Sequence, residues 1–432
     1  MIHFKPTLFK RTLGLICILI LTGISSLSGQ PVQGTTSPDT ALADSAQTTP
    51  SVEPYSSEKT VGQHLLAFPS YLLHWSTRPI GWGIKWAEKT IPQLLQGKRA
   101  PYGVYPLFEL GGDVGIAYGL LLYHNQFLRY NHKVRVEALF GSEEYNDFDF
   151  EYTIPFFISN TGRLNLDASY SNDPVKSLYG GNSSTVTSEQ LYATEELEGI
   201  IEYRNSISSS AQISFSSRYW KMDINNNERI AEDPLPLIPR QLRGTTSLLS
   251  LGSTLRFDFV KGTPRTFRGS RYIAGLQWNR SLTNDQFHYL TYNLEWQQFL
   301  PLPLLPNSRR LAFKTTLEKA MPLGNKEIPF FDSPSLGSSY NLRGFSSDRF
   351  RDDGSLLLTL EYRYPMWNFA DIVFFVDEGQ VFNEYSDIAI DDFHTSYGFG
   401  FHLISAKGFA FRSEFAFSKE SSRVILTINP NF

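Results

Sequence analysis

Residues 340–345, Tyr-Asn-Leu-Arg-Gly-Phe, set a guanidinium beside a glycine and an aromatic ring, and two carboxylates follow in segments that alternate polar and apolar side chains. Arg343 is the cation, Glu361 lies within Gly354 to Pro365, and Asp377 lies within Val373 to Gly379. A planar guanidinium engages carboxylates through parallel hydrogen bonds, and at reduced dielectric such a pair pins a long loop to a wall. Gly344 suits an unusual backbone conformation and close approach to that wall, with Phe345 completing the tip. The chemistry on offer is fixation by charge. The elements that must position it follow from alternation: Leu356, Leu358, Leu360, Tyr362 and Tyr364 share one face of a strand, and Ser355, Thr359, Glu361 and Arg363 share the other. In the next strand Ile372, Phe374 and Val376 face one way and Asp377 the opposite way. Such strands make a wall between lipid and a polar lumen.

Catalytic patterns are absent from the sequence. Of the eight histidines, His3, His64 and His74 precede the alternating region, His124 and His132 flank a turn, His288 and His402 fall in strands, and His394 begins one. None sits in a nucleophile elbow or a His-Glu-x-x-His pattern, so interfacial or lumen-lining roles are expected. Asn225 to Glu228 lacks a cation-binding loop pattern and reads as solvated loop. No catalytic residue, metal site or cofactor is expected. The single cysteine, Cys17, lies behind bulky Leu15 and Ile16 in an N-terminal apolar run, where lipidation would favour small residues. Net charge is −4, with no like-charge block suggesting a nucleic-acid surface.

The N-terminus reads as an export signal over 1–29: Lys5, Lys10 and Arg11 precede an apolar run from Leu13 to Ile24, too short to span a bilayer, and small residues follow. Residues 30–57, rich in Ser, Thr, Pro, Gln and Ala, read as a disordered periplasmic tether. Residues 58–99 suggest an amphipathic helical segment in two pieces broken near Pro79, with Trp75, Trp82 and Trp86 on faces suited to a membrane surface, the barrel mouth or ordinary packing.

Residues 100–432 read as the barrel. From about Gly103 the chain is a succession of aromatic-rich segments of roughly ten residues, the length of a tilted membrane strand. Aromatics make up 14% of the chain, which suits alternation of lipid-facing and lumenal positions. Long connections at about 172–193, 220–246, 320–353 and 378–393 share one parity, and short turns at 159–162 and 405–407 the other. Transmembrane barrels place long loops outside and short turns in the periplasm, and the count comes to about 16 antiparallel strands. In Phe409 to Phe417 the four phenylalanines face lipid while Arg412 and Glu414 face the lumen. The first strand contains Pro106, which prefers a strand edge. If it forms a seam with the last strand, that seam is poorly paired.

The Arg343-Gly344-Phe345 tip and the two acid-bearing strands after it resemble the outer-membrane assembly barrels of the BamA and TamA superfamily. The resemblance is strongest over 330–432 and looser back to about 100. It implies a long sixth outer loop whose tip meets lumenal acids, Asp377 first and Glu361 second, with five strands after the loop. The chain's ending on Phe432 after an alternating strand resembles the signal by which assembly machinery recognises such barrels. The family places POTRA domains before the barrel; the segment before residue 100 shows no strand-helix-helix-strand-strand pattern, and a barrel lacking POTRA domains is expected. Implied partners are outer-membrane lipids and client outer-membrane proteins or a periplasmic partner, with no nucleic acid. The implied function is non-enzymatic help in inserting or translocating proteins or lipids in the Gram-negative outer membrane. The alternative is a POTRA-less passive pore or a scaffold for a periplasmic partner. An outer-membrane hydrolase lacks its motifs, and a siderophore-type transporter needs 22 strands and a plug, more chain than this.

Overall fold

The computed structural model describes residues 101–110, 116–128, 131–141, 144–182, 185–225, 244–262, 267–283, 285–302, 309–367, 370–404 and 410–429. The export signal, the tether and the segment 58–99 lie outside the described residues, as does Phe432. The strands are β1 (Tyr102–Leu110), β2 (Ile116–Phe127), β3 (His132–Gly141), β4 (Asn146–Pro155), β5 (Gly162–Asn182), β6 (Thr185–Ser206), β7 (Ala211–Asn225), β8 (Gly244–Asp258), β9 (Gly269–Ser281), β10 (His288–Pro301), β11 (Arg310–Pro322), β12 (Ser335–Leu336), β13 (Phe350–Arg351), β14 (Gly354–Trp367), β15 (Ala370–Phe382), β16 (His394–Ile404), β17 (Ala410–Ser418) and β18 (Ser422–Asn429). All but β12 and β13 pair antiparallel with their neighbours in a closed barrel, so the ring has 16 strands. β12 and β13 pair only with each other, inside the connection between β11 and β14.

Alternation explains why these segments are strands. Tyr118, Leu120, Phe150, Ile201, Leu276 and Phe374 are all exposed on the outer face, each next to a residue that points inward. On a water-soluble protein such a band would be an aggregation hazard, whereas in lipid it is what the solvent requires. The inner face carries paired charge: Arg204 lies 2.7 Å from Glu202, Arg271 2.9 Å from Asp258, and Lys176 2.5 Å from Glu196. Apart from the β1–β18 joint and a few register shifts, the strands of the ring are paired along the ladders with both neighbours, which a membrane crossing demands.

Two features depart from uniformity. β5 and β6 run 21 and 22 residues, about twice a membrane crossing. β5 pairs with β4 only as far as Asn172, and β6 with β7 only from Ala193, so 173–182 and 185–192 project as a two-stranded ribbon about 30 Å long. The sequence reading placed an irregular connection at 172–193. Pro174 and Gly180-Gly181 disguise the strands there, and the pairing register shifts at both places. The second departure is at the ring's closure. β1 pairs with β2 at nine successive positions and β17 with β18 at eight, but among the described residues β1 meets β18 at one register pair, Leu110↔Leu426.

The β5–β6 tip and the connections 323–353 and 383–393 lie at one end of the barrel, and the turns at 156–161 and 207–210 at the other. Cysteines introduced at Asn182, Asp348 and Asp387 should therefore react with an impermeant maleimide on intact cells, and one at Thr161 should react only after the outer membrane is opened. Labelling at Thr161 with protection of the other three would invert the orientation.

Candidate functional site

The connection 323–353 turns inward and lies against the lumenal wall. Its inner half is wired locally before it meets the barrel. Asn341 Oδ1 accepts from the Gly337 N–H at 3.0 Å and from the Ser338 hydroxyl at 3.1 Å, while Ser338 Oγ accepts from the N–H groups of Tyr340 and Asn341, both at 3.0 Å. Leu342, at φ 45°, takes the left-handed conformation that a leucine adopts only when its surroundings compel it. Those surroundings are a buried apolar cluster of Leu336, Leu342, Phe345, Phe350, Leu357 and Val381. Full burial of Phe345 in it contributes about 2 kcal/mol by transfer from water.

The turn aims Arg343 at β15. Its guanidinium donates to Asp377 from Nε and Nη2, both at 2.8 Å, and its backbone N–H donates to the same carboxylate at 3.2 Å. Nη1 reaches Glu361 on β14 at 3.0 Å and Glu414 on β17 at 3.3 Å. The guanidinium carbon stands 3.5 Å from the centre of the Phe375 ring, which closes one face of the cation. Burial opposes the charge on Arg343, but Asp377, Glu361 and Glu414 outweigh it and hold its pKa above the ordinary value. Glu361 also accepts from Arg363 at 2.7 Å, His402 lies 2.8 Å from Glu414, and Arg412 Nε lies 3.9 Å from it. Three carboxylates thus face three guanidiniums, so each buried charge has opposite charge beside it, the condition under which charge survives away from water.

Gly344 is where the loop touches the wall. A Cβ there would stand 2.8 Å from the Phe417 carbonyl and from the Ser396 Cβ, so any side chain would lift the tip off β16 and β17. Gly379 lies inside β15, and a Cβ on it would meet Leu336 at 2.8 Å. Its role is to leave room for the loop. The tip is also tied to the last hairpin: Ser421 Oγ donates to the Gly344 carbonyl at 2.8 Å, Arg423 on β18 donates to the Phe345 carbonyl, and Arg412 donates to the Ser339 carbonyl at 2.8 Å.

The structure brings Arg343 together with Asp377 and Glu361, the two acids singled out from sequence. It adds Glu414, which the sequence placed on lumenal parity without linking it to the tip, and Phe375. Of the histidines, His288 accepts from the Trp278 indole at 2.8 Å, His132 lies 2.5 Å from the Tyr152 hydroxyl, and His394 stacks on Phe350 at 3.8 Å. Among the described residues no group of three or more His, Cys, Asp or Glu is placed to hold a metal ion.

Removing Arg343 leaves three buried carboxylates facing two guanidiniums, at a cost on the order of 3 kcal/mol. Arg343→Ala should speed external proteolysis between 330 and 353 and lower the heat resistance of the folded barrel on a gel. Arg343→Asp with Asp377→Arg should recover only part of the loss, because the two groups differ in shape. Double-mutant cycles of Arg343 with Asp377, Glu361 and Glu414 should each show coupling, and values near zero for all three would refute the network.

Residues 127–424 match the Omp85 superfamily domain. No curated protein matches the chain significantly. Among solved structures the barrel is similar to BamA from Haemophilus ducreyi lacking POTRA domains 1–3, with a TM-score of 0.55 at 16% identity over 77% of this chain and 71% of that one. It is also similar to CdiB from Acinetobacter baumannii, with a TM-score of 0.51 at 12% identity over 76% of this chain and 59% of that one. CdiB from Escherichia coli gives a TM-score of 0.51 at 10% identity over 77% and 63%. At these identities the structural likeness speaks for the fold, and the domain match for kinship: the chain belongs to the Omp85 superfamily, as an antiparallel β-barrel of the Gram-negative outer membrane.

Proposed function

We propose that the protein inserts or translocates clients, proteins or lipids, at the outer membrane by opening the ring between β1 and β18. The family match supports an assembly or translocation role in the coarse sense. The observation behind this proposal is the seam, where among the described residues a single register pair joins two strands that are paired along their length on their other sides. A strand edge with unpaired N–H and C=O groups is costly in lipid and is a template for another strand. Pro106 adds to the weakness because it has no N–H to donate. The energetic demand for parting the seam is correspondingly small beside that for parting any other pair. The motion required is non-enzymatic, and Arg343, Gly344 and Phe345 serve it by holding the wall next to the seam in a fixed shape. Phe432 is proposed as the signal by which this barrel is itself recognised for assembly, and a periplasmic partner as the source of clients.

Cysteines at the register partners Leu110 and Leu426 should form a disulfide, since paired strands lie about 4.8 Å apart. Oxidation should abolish the protein's contribution to outer-membrane composition, and reduction should restore it. Depletion of the protein followed by quantitative outer-membrane proteomics should show loss of other barrels. An unchanged proteome, or full function with the seam locked, would favour a passive pore or a scaffold.

A further inference from the structure

The connection 323–353 has a second attachment, on the wall opposite its tip. Before reaching β12 it makes a short turn, Phe330–Asp332, and there Phe330 and Phe331 pack against a buried cluster that includes Tyr192, Trp220, Phe287 and Tyr289 on or beside β6, β7 and β10. Ring centres lie 5.2 Å apart for Trp220 and Phe331 and 6.0 Å apart for Tyr192 and Phe330, both edge to face. Asp332 accepts from the Tyr289 hydroxyl and lies 3.5 Å from Arg218 Nη1. Arg218 is itself held by Glu198 and stands 4.3 Å over the Trp220 ring. Nearer the tip, Arg349 donates to Glu420 at 2.7 and 3.0 Å while lying 5.0 Å over the Tyr179 ring of the β5–β6 ribbon. Arg343 lies eleven positions after Asp332, a reach of at most about 40 Å when extended. The loop therefore runs from the β6–β10 wall to the β14–β18 wall as a chord across the lumen.

The two fastenings differ in kind. The tip end is an ion network, and the far end is an aromatic socket with one acid. Beside the far end lies a cavity of about 240 Å³ lined by Arg135, Glu137, Asp149, Glu151, Asp167 and Glu198, so Glu198 is at once a strut of Arg218 and part of a strongly acidic lumenal face. From this placement we infer that Phe330, Phe331 and Asp332 form a latch that keeps the lumen shut, and that its release, with the Arg343 end still fastened, opens a path for small cations along the β3–β6 wall. Fixed carboxylates along a narrow aqueous path raise the local concentration of cations and exclude anions.

The test uses the purified full chain in planar lipid bilayers under a KCl gradient. Phe330→Ala with Phe331→Ala should raise conductance several-fold over the wild type, with a reversal potential on the cation side. Asp149→Asn with Glu151→Gln on that background should weaken the cation preference without closing the path. Phe331→Cys with Trp220→Cys supplies a control within one folded protein: conductance should be high, fall to the wild-type level when a bis-methanethiosulfonate reagent bridges the pair, and return on reduction. Wild-type conductance in both the alanine and the unbridged cysteine variants, insensitivity to bridging, or anion preference would each overturn the latch.

Discussion

A guanidinium taken out of water must be neutralised where it stands, and much of the C-terminal third of this barrel is arranged around that requirement. Arg343 has one carboxylate ahead of it on β15, one to each side on β14 and β17, and an aromatic face behind. None of these groups is replaceable by water, because Asp377 and Glu414 are wholly buried. Small residues on the same wall follow from the same demand. A Cβ on Gly398 would strike the Phe375 ring at 2.5 Å, and one on Gly400 would strike Glu414 at 2.6 Å. The wall's shape, its glycines and the left-handed backbone at Leu342 are consequences of placing one cation in one position.

The same network bears on the weakest joint of the ring. Among the described residues β18 is joined to β1 at one register pair, yet it is not loosely held, because Arg423 near its start and Ser421 just before it reach the carbonyls of Phe345 and Gly344. The last strand thus takes its position from β17 and from the loop more than from β1. A barrel built this way can part its seam without deforming the strand that stays behind. The fixed side is braced by buried ion pairs, while the other side of the gap is β1, which among the described residues is held mainly by β2.

Alternation is a local property, and what it governs was legible in the sequence. The ring of 16 strands, the lipid and lumenal faces of β14, β15 and β17, and the acids on inward parity all follow from a period of two. The Arg-Gly-Phe tip could be matched to Asp377 and Glu361 because those strands are next in the chain. Glu414 was on the right face but three strands along the ring from the loop, and parity says nothing about which height on the wall meets the tip. That depends on accumulated strand register. Asp332 was out of reach for a similar reason: one acid after Pro-Phe-Phe carries no pattern, and its partner Arg218 is fixed by the path of the loop across the lumen. The β5–β6 ribbon was hidden by residues that usually end strands, since pairing between two long strands tolerated a proline and two glycines through shifts of register.

The positions of Arg343's partners also carry an order of events. They lie 18, 34 and 71 residues away along the chain, all on its C-terminal side, whereas Arg218 and Asp332 are 114 residues apart. Closing a longer loop adds only about 0.6 kcal/mol per doubling of its length, so entropy of closure alone hardly separates these steps. What separates them is which strands must already exist. The tip network needs β14 to β17 and the loop, a contiguous run of the chain's last third, and its contacts are the less distant ones that fold sooner. The far anchor draws on β6, β7 and β10, and Leu110↔Leu426 joins the first strand of the ring to the last. The tip network can therefore be complete with the chain's last third alone, whereas the far anchor and the β1–β18 joint need strands from its first half.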